Sequence, residues 1–314
     1  MDPPDLRTIQ QWIQNDPRLN TVSFVESRDK SRVEAATREN IKSWADITLV
    51  DVCPEFYNPK LTFNIDETNI STETQTRTRV VIDASKKEHF RTKSDIDMSK
   101  HCHITMMPLI CADSGILRTQ LLKPLFIFPN KLRPDIDEKL LEKILIAGSE
   151  LGWMEGELFN SWVDQFLKWL PQYKKEIGVA ADEKALLYSD NHSSRFKFPE
   201  SIQKLKAAGV TVVFFPPHTT NLLQPLDDSV FKQFKPFLRK FFMAYQLDYE
   251  MTKPKDTRLD TLCFYRNLIL QSSLEAWEHA SNSHYIRESW RDTGVYHWSP
   301  KIVYDCQDKV ADPL

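Results

Sequence analysis

Apolar and polar positions alternate first in Leu61-Thr62-Phe63-Asn64-Ile65-Asp66, where Leu61, Phe63 and Ile65 share one face of a strand that ends in an acid. Residues 79–84, 103–112 and 121–128 read as further strands, with Asp113-Ser114-Gly115 as the turn between the last two and the lysine-rich stretch 85–100 as a loop. Upstream, residues 1 to about 55 read as helical; Thr37 is placed to cap a helix carrying Ile41, Trp44, Ala45 and Ile47. Downstream, helical spacing appears over 137–150 and 155–169, the latter carrying Leu158, Phe159, Trp162, Phe166 and Trp169. A short apolar run, 185–188, leads to Asp190, then a helix over 199–208, a strand over 210–215 stopped by Pro216-Pro217, a long helix from about 222 to 245 containing Pro236, and a last helix over 259–280. A meander of strands followed by alternating helix and strand predicts an α/β fold, a mixed sheet flanked by helices with helical N- and C-terminal segments.

Composition narrows this picture mainly by exclusion. The chain has 314 residues, 41% apolar and 27% charged, with a formal net charge of −3, values typical of a globular protein with a sizeable core. Nothing approaches the roughly 18 to 20 consecutive apolar residues of a membrane helix, and the acidic N-terminus lacks the apolar core of a signal peptide. Seven glycines form neither GxGxxG nor GxxxxGK[ST], so no nucleotide cofactor is expected. Five cysteines without a CxxC pair suit a reducing compartment. His101-Cys102-His103 with Cys111 is a weak zinc candidate, because alternating residues of a strand point to opposite faces. The tryptophans Trp153, Trp162, Trp169, Trp277 and Trp290 read as core residues in preference to base-stacking platforms.

The candidate chemistry lies in acids at strand ends. Asp66 closes the first strand and Asp190 closes 185–189; on adjacent strands the two carboxylates meet at one edge, where they repel unless a cation intervenes. The bland alternative is two ordinary loop carboxylates. A third acid is chosen on a helical wheel: with Leu226 at 0°, Asp227 falls at about 100°, inside the apolar stripe, and Asp228 at about 200°, on the polar face with Lys232, Lys235 and Arg239. Asp227 is therefore expected to face inward, and Asp228 to pair with Lys232 at the surface.

Three segments, Phe63-Asn64-Ile65-Asp66-Glu67-Thr68, Tyr188-Ser189-Asp190-Asn191 and the run from Phe215 through Pro216-Pro217-His218-Thr219-Thr220-Asn221-Leu222-Leu223-Gln224-Pro225-Leu226 to Asp227, resemble the pogo/Tigger branch of the mariner-like DDE transposases, whose host-adopted relatives include the jerky proteins and centromere protein B. The last segment is the most specific, and weaker likeness extends from about residue 31 to 300. The resemblance implies an RNase H-like core in which Asp66, Asp190 and Asp227 bind Mg²⁺, with Mn²⁺ as a substitute, for in-line attack on DNA phosphodiesters. It also implies DNA as partner, a homodimer and nuclear localisation. Asn191 is a candidate for a hydrogen bond near the metals, with a turn role as its alternative; Lys232, Lys235 and Arg239 are candidate DNA contacts, as are cations at 86, 87, 91, 93, 100, 197, 204, 206 and 240. Two departures stand near the triad: Arg195 where the family places a histidine, and Asp228-Ser229 where it places Gln-Gly. At the N-terminus, residues 1 to about 35 are expected to be only a remnant of the family's helix-turn-helix pair. The expected organisation is a helical segment 1–55, a remnant of a DNA-binding module; a catalytic domain 56–250; and a helical extension 251–314. The competing function is a host-adopted chromatin protein that keeps the fold without cutting.

Overall fold

The structure is a computed structural model that describes residues 37–70, 104–129, 136–190, 199–252, 261–296, 299 and 301–302. The strand expected over 79–84, the loop 85–100, the His101–His103 cluster, Asn191, Arg195 and Lys197 lie outside the described residues.

Strand β1 (Thr62–Ile65) pairs antiparallel with β4 (Leu109–Cys111) and parallel with β7 (Ala185–Ser189), which pairs parallel with β8 (Val210–Phe214). A second sheet follows in the order β2 (Thr68–Ile70), β3 (Ile104–Met107), β5 (Leu125–Pro129), β6 (Leu145–Ser149). The two sheets share one bent hairpin. Ile65 stands opposite Leu109 and Thr68 opposite Met106, so the register passes unbroken from one sheet to the other. Between them Asp66 falls opposite Pro108, which has no N–H to give the ladder. The break in pairing thus coincides with the acid.

Each face of this sheet is covered by helices. On one side lies α3 (Gly156–Glu176), whose Phe159, Trp162, Phe166, Trp169 and Tyr173 stack in sequence at 4.5–5.9 Å. Phe63 of β1 meets three of these rings at 5.8 Å. The neighbouring α4 (Pro199–Ala207) adds Leu205 to this core and is bridged to α3 by Lys204 and Asp164 at 2.7 Å. Buried Lys174 donates to the carbonyls of Ala181 and Glu183, fixing the turn that enters β7.

The opposite face carries Leu186, Tyr188, Val213 and Phe215 and packs under α6 (Phe231–Thr252), α7 (Thr261–Ala280) and α8 (Ser283–Thr293). Helix α1 (Arg38–Trp44), continued by a π turn Ala45–Leu49 and by Val50–Val52, joins the same core through Ile41, Ala45 and Leu49. Thr37 caps α1 as expected, accepting from Asn40 N–H at 3.3 Å. Ile47 does not belong to the buried stripe: it is 68% exposed, because residues two apart on a helix point to different sides.

Three further expectations need correction. The helix over 137–150 is only α2 (Glu138–Leu141), and Leu145–Ser149 is strand β6, drawn into parallel pairing with β5. The long helix from 222 is interrupted: α5 (Thr220–Leu223) ends at an extended Gln224, a π turn follows over Leu226–Val230, and α6 then runs through Pro236. Trp153 is 56% exposed in the loop after β6, whereas Trp162, Trp277 and Trp290 are buried as expected.

Cys53 ends the N-terminal helical segment in the left-handed region (φ 50°), its N–H bonded to the Leu49 carbonyl, a position that favours glycine. Cys53→Gly is expected to raise the unfolding free energy by about 0.5–1 kcal/mol, the relief of a left-handed L-residue less the entropy of a freer unfolded chain. Urea denaturation of the two proteins measures it, and a lower midpoint would show that the thiol's bond to the Val50 carbonyl outweighs the strain.

Candidate metal centre

Two of the three sequence-selected acids are brought together by strand register. Thr62 stands opposite Leu186 and Asn64 opposite Tyr188, an offset of 124 positions that is also the spacing of Asp66 and Asp190 in the chain. Continued past the last paired residues, it sets the two acids level on adjacent parallel strands about 4.8 Å apart. The period of two puts them on the face of Asn64 and Tyr188, beneath α6 and α8. Asp66 is 7% exposed and Asp190 half-buried.

Asp227 reaches the same end of the sheet through a pair of buried amides. Asn64 Nδ2 donates to the Tyr188 carbonyl (3.2 Å) and to Gln224 Oε1 (2.8 Å), while Asn64 Oδ1 accepts from Leu226 N–H (3.0 Å). Gln224 Nε2 donates to the Ile65 carbonyl (3.2 Å), and the Gln224 carbonyl accepts from both Asp227 N–H (3.1 Å) and Asp228 N–H (3.2 Å). Both side chains are fully buried.

The inward and outward acids are reversed from the helical-wheel expectation. Asp228 is buried, 4% exposed, and Asp227 is half-buried. Two causes combine. The π turn closes i to i+5, so the 100° wheel does not apply across it. Helix α8 also packs on that turn, covering a side that the wheel leaves to solvent. The expected pair of Asp228 with Lys232 does form, at 3.2 Å, and Ser229 Oγ donates to the other carboxylate oxygen at 2.9 Å. Arg291 of α8, whose pKa is raised first by Asp292 and last by Asp228, lies on the same side. Asp228 is thus committed to packing and Asp227 faces partly outward.

Among the described residues no group of three or more His, Cys, Asp or Glu side chains converges closely enough to hold a metal ion. Register levels Asp66 with Asp190, the amides bring the Asp227 turn to the same end, and the three carboxylates stop short of a single cluster. Of the weak zinc candidate only Cys111 is among the described residues. It is buried on β4 with its thiol donating to the Pro59 carbonyl, and burial pushes that thiol up to about 12. Lys232, Lys235 and Arg239 are exposed on α6, whereas Lys204 is held by Asp164 and Asn160. Asn64 and Gln224 carry no chemical signature in the sequence beyond being polar residues among apolar ones, Asn64 between Phe63 and Ile65, Gln224 between Leu223 and Pro225-Leu226.

A family model described as DDE superfamily endonuclease matches residues 105–290, more than half of the chain. The chain belongs to the DDE superfamily endonucleases. The crystal structure of the Mos1 mariner paired end complex with Mn shares its fold at a TM-score of 0.52 and 12% identity, covering 95% of this chain and 70% of that one. The Mos1 transposase paired-end complex with left transposon end scores 0.44 at 11% identity, covering 92% and 69%. The mixed sheet between helical layers is thus an RNase H-like fold, as expected for a DDE endonuclease. Among curated proteins, the MFS-type transporter clz9 of Cochliobolus lunatus is 28% identical over 163 residues, half of this chain; the match spans 15% of that relative's length. Among the described residues no helix is long and apolar enough to cross a membrane.

Loss of the buried Asp228 carboxylate leaves Ser229 and Lys232 without their partner. Asp228→Ala is expected to lower the unfolding free energy by about 1–2 kcal/mol, discounted for the exposure of Lys232, and Asp227→Ala by less than about 0.5 kcal/mol. Parallel urea titrations would decide; a greater loss at Asp227 would reverse the burial order.

Proposed function

We propose that this DDE endonuclease is the catalytic core of a DNA transposase, in which Asp66, Asp190 and Asp227 hold Mg²⁺, or Mn²⁺ in its place, for cleavage and transfer of DNA strands. The observation that carries the reading is the register that levels Asp66 with Asp190 on adjacent parallel strands, with the turn of Asp227 bound to the same strand end. The donor set fits: three carboxylates offer only hard oxygen ligands, as Mg²⁺ and Mn²⁺ prefer. When bound, divalent ions offset the repulsion among these carboxylates and supply Lewis-acid activation of the attacking and leaving oxygens.

The chain's own residues define the rest. Asp66 is the most buried of the three acids; Asp190 and Asp227 are half-buried and are proposed to face the phosphodiester. Asn191 follows Asp190 directly and is proposed to hydrogen-bond beside the ions. Lys232, Lys235 and Arg239 continue from the Asp227 turn along the exposed side of α6 and are proposed to contact DNA phosphates. The Mos1 mariner structure named above is a paired end complex, which supports action as a dimer on DNA ends; a nuclear location is proposed from the family resemblance.

Nicking of supercoiled plasmid in Mn²⁺ at low salt is expected from the parent chain and not from Asp66→Asn. Equal nicking by both would assign the activity to another site or a contaminant. Silence from both would favour the host-adopted, non-cutting alternative.

Removing two phosphate contacts reduces counterion release. Lys235→Ala/Arg239→Ala is expected to flatten the plot of log binding constant against log salt by about 2 units, at about 0.9 per phosphate contact. Fluorescence anisotropy with duplex DNA reads the slope, and an unchanged slope would remove α6 from the DNA interface.

A further inference from the structure

We infer that Asn64 and Gln224 are positioning residues, an amide clamp that sets the separation of Asp66, Asp190 and Asp227 and thereby the affinity of the three for a divalent ion. The inference rests on the metal-dependent reading above and adds to it two residues that touch neither metal nor DNA.

The side chains of the clamp hold three backbone groups outside their own residues, and each lies within two positions of an acid: the Ile65 carbonyl precedes Asp66, the Tyr188 carbonyl lies two before Asp190, and Leu226 N–H precedes Asp227. The Gln224 carbonyl adds to these by accepting from the N–H groups of Asp227 and Asp228. One pair of side chains therefore joins all three acid-bearing segments.

These are also the points where regular structure stops. Pairing of β1 with β4 lapses after Ile65, opposite Pro108, and Leu226 begins a helical turn after the extended Gln224, so its N–H has no partner within the helix. The strand must break for Asp66 to leave the ladder, and the helix must break for Asp227 to face outward. An apolar pair of equal volume would fill the space without hydrogen-bonding these backbone groups. Only a residue with both donor and acceptor serves at each place. Asn64 uses its oxygen toward the turn and its nitrogen toward β7 and Gln224; Gln224, one methylene longer, reaches back to β1.

The test separates positioning from bulk stability. Gln224→Met keeps the volume and removes the side-chain bonds. Leu238→Ala, on the buried side of α6, destabilises the same core at a distance from the clamp. Mn²⁺ binding is read from the electron paramagnetic resonance signal of the free ion, and melting is recorded in EDTA. Gln224→Met is expected to weaken Mn²⁺ binding about tenfold or more, while Leu238→Ala, despite the lower melting temperature, stays within about twofold of the parent. If Gln224→Met fails to fold, Gln224→Ala, which leaves room for a water in place of the amide, is read in the same way. Parental affinity in the Gln224 variant, or equal weakening in Leu238→Ala, would overturn the clamp alone. A parent chain that binds no Mn²⁺ would overturn the metal-dependent reading and the clamp with it.

Discussion

The contact between Asn64 and Gln224 is the constraint on which the geometry of this end of the sheet depends. Two fully buried amides meet at 2.8 Å, in a layer otherwise made of Leu186, Tyr188, Leu223 and Leu226. In such surroundings an amide lacking partners costs several kcal/mol, and a satisfied one roughly breaks even. The satisfaction is close to complete here, and it is reached only in one relative placement of β1, β7 and the turn after α5. The polar pair therefore contributes specificity of placement more than net stability, whereas the packing energy comes from the two apolar layers around it.

Those layers explain why the site lies where it does. Strand β1 presents Leu61, Phe63 and Ile65 to the stacked rings of α3 and Thr62, Asn64 and Asp66 to the other side. Helices cover both faces, so its polar face is buried as well. A buried polar face must find partners; Thr62 finds the Asn58 carbonyl, and Asn64 finds Gln224 and Tyr188. Asp66 follows at the break in the strand ladder opposite Pro108. The acid sits at the one position of the bent hairpin where its partner residue has no N–H.

Much of this was legible in the sequence because strand signals are local and register is arithmetic. The alternation around Phe63 marked β1, and the 124-position spacing of Asp66 and Asp190 is the offset between β1 and β7. Misreadings arose where tertiary contacts override local pattern. Residues 145–149 carry an apolar run that suits either element, and the vacant edge of β5 made them a strand. The burial of Asp228 and exposure of Asp227 could not be reached from a 100° wheel, since the segment contains a chain break at Gln224, a π turn and a cover, α8, that arrives about 60 residues later. The motif containing Gln224 was recognised as specific, but its reason lies in a partner 160 positions away.

The corrected geometry also constrains what the basic side chains of α6 can do. At about 1.5 Å of rise per residue, Lys235 and Arg239 stand roughly 12 and 18 Å along the axis from Asp227. Phosphates follow one another along a DNA strand at about 3.4 Å of helix rise. On the proposed reading these cations meet the backbone several nucleotides from a phosphodiester held at the acids, too far to stabilise charge at the reacting phosphorus. On that reading their contribution is to hold the duplex in register. Because α6 grows directly out of the turn clamped by Gln224, that register and the position of Asp227 are set by the same two amides. On the same reading, a shift of the turn would displace the third carboxylate and the proposed DNA contacts together, because α6 follows the turn without a break.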